Sequence, residues 1–415
     1  MANSIFPEDL MICILTRLPV KTIIRFKSVC KPWYHLFSTP EFKKLHQGQF
    51  SSDPENQFFI LHSFIKYCCQ PNNHYSIFNI ESGKKMPTIL DHPFAHAQNT
   101  KLYTVGCCNG LVCIFHSSRE IVLWNPAMKL SKTVRLKDCE PNQMFSLGFG
   151  YNAVEADFKV VMIVASIMYI TSVEIYSANL GSWITIDVGF QFREILDKND
   201  FIVNGNPYWV AQVDGNEVLL CFDVLELVFK IVPMPTIHRT GLDEGTGTWT
   251  STETEVEIDG SDGSDGWDEE TETETGTKTN VELFDYNGAL GALIINHDVE
   301  YRVGPAGSKS SARVESVSVL VFDDIERIWR NNHTFGPIEL DVCSVLRCIK
   351  NEKILGIFLI DKLCVLDFEA GIVKELFDGA RLGNSFEVYG YTESLAYING
   401  MENVVVEYER NDIDD

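Results

Sequence analysis

Gly110-Leu111-Val112-Cys113-Ile114-Phe115, then Ser117-Ser118-Arg119, then Ile121-Val122-Leu123-Trp124-Asn125-Pro126 is the stretch on which the fold turns. Two runs of branched, aliphatic and aromatic residues flank a polar turn, and Asn125-Pro126 stops the second, as in an antiparallel strand pair. The same texture recurs downstream. Phe158 to Ile167 is set to pair with Ser172 to Tyr176, Phe201 to Val203 leads through Gly205-Asn206 into Tyr208 to Val213, and Val218 to Asp223 leads into Val228 to Val232. Further on come Val281 to Phe284 with Ala289 to Ile295, Val317 to Asp323 with Ile328 to Trp329, Ile354 to Ile360 with Leu363 to Asp367, and Val404 to Tyr408. Units of about 35 to 50 residues, each with a tight turn and an aromatic-bearing strand, predict a β-propeller or a related closed all-β array. A pair of β-sandwiches is the rival. The lack of helical periodicity after residue 60 excludes an α/β fold.

Before about residue 46 the signal is helical. Pro7 stands at a helix start with Glu8 and Asp9 in the first turn, where a missing N–H and negative charge both suit the dipole. Leu10, Ile14, Leu15 and Leu18 form one apolar stripe, which Pro19 ends. Val20, Ile23, Ile24, Val29 and Cys30 begin a second, ended by Pro32 ahead of Trp33, Tyr34, Leu36 and Phe37. Three short helices are predicted. So small a unit cannot bury that much Leu, Ile and Trp within itself, so it docks in cis or on a partner. Arg17, Lys21, Arg25, Lys27, Lys31, Lys43 and Lys44 against Glu8, Asp9 and Glu41 give it +4, which favours an acidic partner surface.

The 415-residue chain as a whole carries 34 Lys and Arg against 58 Asp and Glu, a net −24, so its field opposes a nonspecific grip on nucleic acid. With 45% hydrophobic and 22% charged residues it has the composition of a folded soluble protein. No run nears the roughly 18 apolar residues of a membrane span, so no membrane partner is expected. The first residues lack a basic region leading into an apolar run, and the twelve Cys sit mostly in apolar runs such as Cys113, Cys221 and Cys364. These features point to a reducing compartment, cytoplasmic or nuclear, where the triplet Asn332-His333-Thr334 has no consequence. Residues 238–280 hold thirteen acids against Arg239 and Lys278 and few apolar groups, which predicts a disordered acidic insert. Thr252, Thr254 and Thr271 each have Glu three residues on, a pattern suited to an acid-directed kinase.

No motif for bond chemistry stands out. In Asp259-Gly260-Ser261-Asp262-Gly263-Ser264-Asp265-Gly266 the acids recur every third residue, not at the alternate positions of a calcium loop. Cys68-Cys69 and Cys107-Cys108 are adjacent, and neighbours on a strand point to opposite faces, so they read as structural thiols rather than a zinc or redox pair. The ten His are scattered, and nucleophile-elbow and phosphate-loop motifs are missing. No cofactor, metal or catalytic residue is expected.

Residues 1–46 resemble an F-box, the helical module by which substrate receptors attach to the Skp1-type adaptor of cullin-based ubiquitin ligases. The resemblance is carried by Phe6-Pro7-Glu8-Asp9-Leu10, Ile14-Leu15, Leu18-Pro19-Val20-Lys21 and Arg25-Phe26-Lys27-Ser28-Val29-Cys30-Lys31-Pro32-Trp33, with Phe6 where the family mostly has Leu. It implies adaptor-binding roles for Pro7, Leu10, Ile14, Leu15, Leu18, Pro19, Val20, Val29, Cys30 and Trp33, with Trp33 packing inside the module. Residues 47–415 are similar to the plant F-box-associated domain. This rests on Gly106-Cys107-Cys108-Asn109-Gly110-Leu111 with Leu123-Trp124-Asn125-Pro126, on Phe145-Ser146-Leu147-Gly148-Phe149-Gly150-Tyr151 with Asp157-Phe158-Lys159-Val160-Val161, and on Asn204-Gly205-Asn206-Pro207-Tyr208-Trp209 with Cys221-Phe222-Asp223-Val224 and Phe229.

The expectation is therefore a mainly β chain with a three-helix F-box and a propeller-like domain interrupted at 238–280. It implies a non-catalytic substrate receptor, bound to a Skp1-type adaptor and through it to cullin, that holds a protein substrate. The net −24 would suit a basic substrate such as the S-ribonucleases met by pollen S-locus receptors. The alternatives are a propeller enzyme or small-ligand binder, which would need a polar pocket near the axis, and a ligase-independent interaction protein.

Overall fold

A computed structural model describes residues 7–53, 56–64, 73–79, 87–94, 102–116, 119–138, 144–165, 170–187, 194–235, 272–304, 307–337, 342–349, 353–358, 362–367, 372–378 and 385–404. The chain divides into two compact units, Met1–Val213 with Leu220–Lys230 and Arg381–Asp415, and Asp214–Leu219 with Ile231–Ala380.

The N-terminal module has four helices, not three: α1 (Glu8–Leu15), α2 (Val20–Phe26), α3 (Lys31–Leu36) and α4 (Pro40–Ser52). The fourth runs through the boundary expected at residue 46. It begins where Thr39 Oγ1 accepts the Phe42 N–H at 3.2 Å with Pro40 in the first turn, a capped start that the apolar stripes alone did not reveal. Its inner face is Phe42, His46 and Phe50, spaced one helical turn apart and all buried. Burial lowers the His46 pKa, so the neutral ring donates from Nε2 to the Leu18 carbonyl at 2.8 Å and stacks on Phe50 with centroids 5.2 Å apart.

Next come β1 (Phe58–Phe64), β2 (Asn73–Phe78) and β3 (Thr88–Ile89), then β4 (Leu102–Cys108), β5 (Leu111–His116), β6 (Glu120–Asn125) and β7 (Leu130–Arg135), the last four in one antiparallel meander. The stretch quoted at the outset is β5 and β6, with Val112 opposite Trp124 and Phe115 opposite Ile121. β8 (Met144–Asn152), β9 (Asp157–Ala165), β10 (Ile170–Ser177) and β11 (Ser182–Ile186) form the next meander, and β12 (Glu194–Val203), β13 (Asn206–Val213), β14 (Asn216–Asp223) and β15 (Val228–Pro233) another. Two more follow: β16 (Glu272–Tyr286), β17 (Ala289–Gly304), β18 (Gly307–Asp323) and β19 (Ile328–Phe335), then β20 (Val342–Ile349), β21 (Lys353–Phe358), β22 (Lys362–Asp367) and β23 (Ile372–Asp378). β24 (Ser385–Tyr391) returns to pair with β1, and β25 (Glu402–Asn403) adds to β7. Among the described residues there are thus six sheets, five of four strands and one of five, each the up-and-down unit from which propellers are built.

Asn109-Gly110, Asn204-Gly205, Asp214-Gly215 and Asn287-Gly288 all have positive φ at both residues, the turn that matches strand twist in a two-residue hairpin. One expectation fails here. Glu272–Asn280, assigned to the disordered insert, are the first nine residues of β16 and pair in continuous register with Val303 back to Ile295. Alternating Thr at 273, 275, 277 and 279 suits the period of a strand, a signal that composition averages away. Residues 238–271, with Thr252, Thr254, Thr271 and the Asp-Gly-Ser run, lie outside the described residues, as do Cys68-Cys69 and 405–408 of the last expected strand. Cys107 and Cys108 do face opposite ways: Cys107 is buried in one core cluster and Cys108 lies against the other.

Candidate functional site

The ten residues singled out in the helical module separate into two sets. Leu15 and Val20 are buried, and with Ile23, Phe37 and Phe42 they make the module's core, against which Leu18 and Trp33 lie half-buried. Trp33 is held between Phe26 and Phe37, with centroids at 5.3 and 6.0 Å, so it packs inward as the sequence reading expected. These four hold the module together.

The other six face outward. Leu10, Ile14 and Val29 are 48%, 54% and 61% exposed, and Pro7, Pro19 and Cys30 are exposed beside them in sequence. Two further exposed apolar side chains, Tyr34 on α3 and Leu45 on α4, were not assigned to the site beforehand. Their signal is a hydrophobe on the face of its helix away from the core positions: Leu45 precedes the buried His46, and Tyr34 follows Trp33. The module therefore offers Leu, Ile, Val and Tyr to solvent after its own core is closed. Around it Lys27 and Lys43 are half-buried; burial lowers the pKa of each, and the charge of Lys27 lowers that of Lys43 further.

The F-box domain family matches residues 4–45, and the F-box associated beta propeller domain family matches residues 66–250. The chain is a member of the F-box proteins with an F-box associated domain. Relatives agree: a chain described as an F-box protein of Arabidopsis thaliana is 24% identical over 57% of this chain and 62% of its own length. An F-box/kelch-repeat protein of the same plant is 26% identical over 57% of this chain and 67% of its own. The matched stretch thus falls short of two thirds of the first relative. Among solved structures the likeness is remote: YCF48 bound to D1 peptide gives a TM-score of 0.32 at 8% identity, over 81% of this chain and 93% of that one, and carries no argument about function.

The F-box does not stand clear of the β domain. Leu395, which follows β24, is buried in its core cluster, and Ala127 and Met128, from the turn between β6 and β7, pack against that cluster. Glu393 approaches the first turn of α2, where its carboxylate accepts the Val20 N–H and feels Lys21; burial outweighs both and raises its pKa. Of the alternatives left open by the sequence, docking in cis is seen on one side of the module, while its other side keeps the exposed apolar side chains.

Among the described residues no cluster of three or more His, Cys, Asp or Glu is arranged to hold a metal, and no helix is long and apolar enough to cross a membrane.

Proposed function

We propose that this protein is the substrate-recognition subunit of a Skp1-cullin-F-box type ubiquitin ligase. In this reading the outward set, Pro7, Leu10, Ile14, Pro19, Val29 and Cys30 with Tyr34 and Leu45, meets the adaptor, while Leu15, Leu18, Val20 and Trp33 maintain the shape that presents it. The observation that carries the reading is the apolar surface left on a module whose own core is closed. The basic rim suits an acidic adaptor.

The β domain supplies the substrate contact, and the chain itself performs no bond chemistry. Ubiquitin transfer gains from proximity alone. A net charge of −24 favours a basic protein substrate. Cysteines buried among apolar side chains, as at Cys113, Cys221 and Cys364, suit a cytoplasmic or nuclear setting.

The test is co-purification with a Skp1-type adaptor. Wild type is expected to be captured, and Ile14→Asp with Val29→Asp to lose at least a hundredfold in affinity with an unchanged circular dichroism spectrum. Leu18→Asp is the wrong probe, because Leu18 leans on the module core. If folded wild type binds no member of the adaptor family, the reading fails.

A further inference from the structure

The two motifs that carried the family resemblance in the first meander, Asn109-Gly110 and Leu123-Trp124-Asn125-Pro126, have a shared task that turn formation does not explain. Asn125 is fully buried, and its Nδ2 donates to two carbonyls of the C-terminal segment, Ser394 at 3.1 Å and Ala396 at 2.9 Å. Its Oδ1 accepts the Met128 N–H at 3.1 Å, which shapes its own turn. Ser394 Oγ donates to the Asn109 carbonyl at 2.9 Å and accepts the Ala396 N–H at 3.2 Å. At Gly110, with φ at +79°, an added Cβ would overlap the Ser394 hydroxyl, so the turn is open just where the segment crosses it.

Between these two anchored residues stands Leu395, 2% exposed, inserted among Leu15, Val20, Ile23, Phe37 and Phe42 of the F-box. Glu393 on one side reaches the start of α2, and Lys132 Nζ holds the Asn399 carbonyl at 2.8 Å on the other. β25 then adds to β7, and the Val404 N–H donates to the Lys129 carbonyl at 2.9 Å. Segment 392–401 is thus tied to the β domain at several points along its length and carries a single apolar side chain into the F-box core.

We propose that segment 392–401 is a positioning strap, with Asn125 its anchor and Leu395 its plug. It sets the direction in which the F-box presents its exposed face relative to the sheet of β4 to β7. It is distinct from the adaptor contact, because Leu395 enters the module from the side of Leu15 and Val20, whereas Leu10, Ile14 and Val29 face solvent. Its functional consequence rests on the receptor reading: with the strap released, adaptor and substrate can still be held, but no longer at a fixed geometry, so proximity is lost without loss of either contact.

Asn125→Asp separates the strap from the turn, since the carboxylate keeps an acceptor for the Met128 N–H but has no donor for the Ser394 and Ala396 carbonyls. Nitroxide pairs on the intact chain at Lys44 of α4 and Thr133 of β7, both exposed, report the F-box-to-sheet distance by pulsed electron resonance. A narrow distribution is expected for wild type, and one at least twice as wide for Asn125→Asp and for Leu395→Ala, with Skp1-type adaptor affinity changed less than threefold. In a reconstituted ligase, mass spectrometry is expected to find self-ubiquitination confined to few lysines in wild type and spread over more in Asn125→Asp. Unchanged distance widths in both variants would overturn the strap, as would adaptor affinity falling in step with the widening, which would make the segment part of the F-box fold. Failure of wild type to bind any adaptor would remove the receptor reading alone, because the distance measurement needs no adaptor.

Discussion

The helical module and the sheet of β4 to β7 are built from the same kinds of residue, yet they finish in opposite states. In β5 Leu111 and Cys113 enter one core cluster while Val112 and Ile114 enter another, so both faces of the strand are covered. In α1 Leu15 reaches the core, while its neighbours Leu10 and Ile14 stay in water. A strand with a layer on either side has an outlet for each alternate residue; a helix on a small core has one stripe of contact and must expose what lies beyond it. Apolar content does not separate a scaffold from an interface, and leftover apolar area does.

The sharpest way to break the comparison is to open the covered side. Trp124→Ala is expected to lower stability by about 3 to 5 kcal/mol, since its fully buried indole has little chance of being replaced by collapse; the urea midpoint at constant slope checks it. A smaller effect is expected from acid. His92, buried beside β3, accepts the Phe94 N–H on Nδ1 at 3.3 Å, and burial holds its pKa down to about 4. The folded chain keeps the ring neutral while the unfolded chain protonates it near 6.5, so its contribution is complete above about pH 6.5 and declines as pH falls towards about 4. The decline reaches up to about 3 kcal/mol, and a His92→Gln variant is expected to flatten stability measured between pH 7 and pH 4. The smallest effect belongs to the open side: Leu10→Ser is expected to move stability by no more than about 0.5 kcal/mol, and a shift like that of a core residue would mean that α1 buries this position after all.

Most local pairings were legible because each strand pair is joined by a short turn and written in alternating apolar residues, as in Phe158 to Tyr176 and Val281 to Ile295. The pairing of β24 with β1 was not, because no local pattern links Phe386 to Ser63 across the chain. α4 was hidden by its composition: a histidine occupies the middle of its buried face, and Gly48 and charged residues surround it. At the candidate site the ten positions were legible as a set but not as insiders and outsiders. Leu15 and Ile14 are adjacent and chemically alike, and which of them is covered depends on where Val20, Ile23, Phe37, Phe42 and the distant Leu395 come together. Asn125 was read as a turn former, and its second task required knowing that residues 394 and 396 lie across from it.

The junction of β1 with β24 also bears on how the protein is made. His62 of β1 faces Glu387 of β24, 325 residues later, with Nδ1 and Oε2 at 3.3 Å. At a ribosomal pace of about 5 to 20 residues per second, the first strand waits roughly 16 to 65 seconds for its neighbour. During that interval β1 presents an unpaired edge to the cell, and strand edges left open are where nascent chains aggregate. A ribosome that stalls before Ser385 would release a chain holding most of its sheets and lacking the strand that covers the first, a species to which holding chaperones are expected to bind more than to the finished protein.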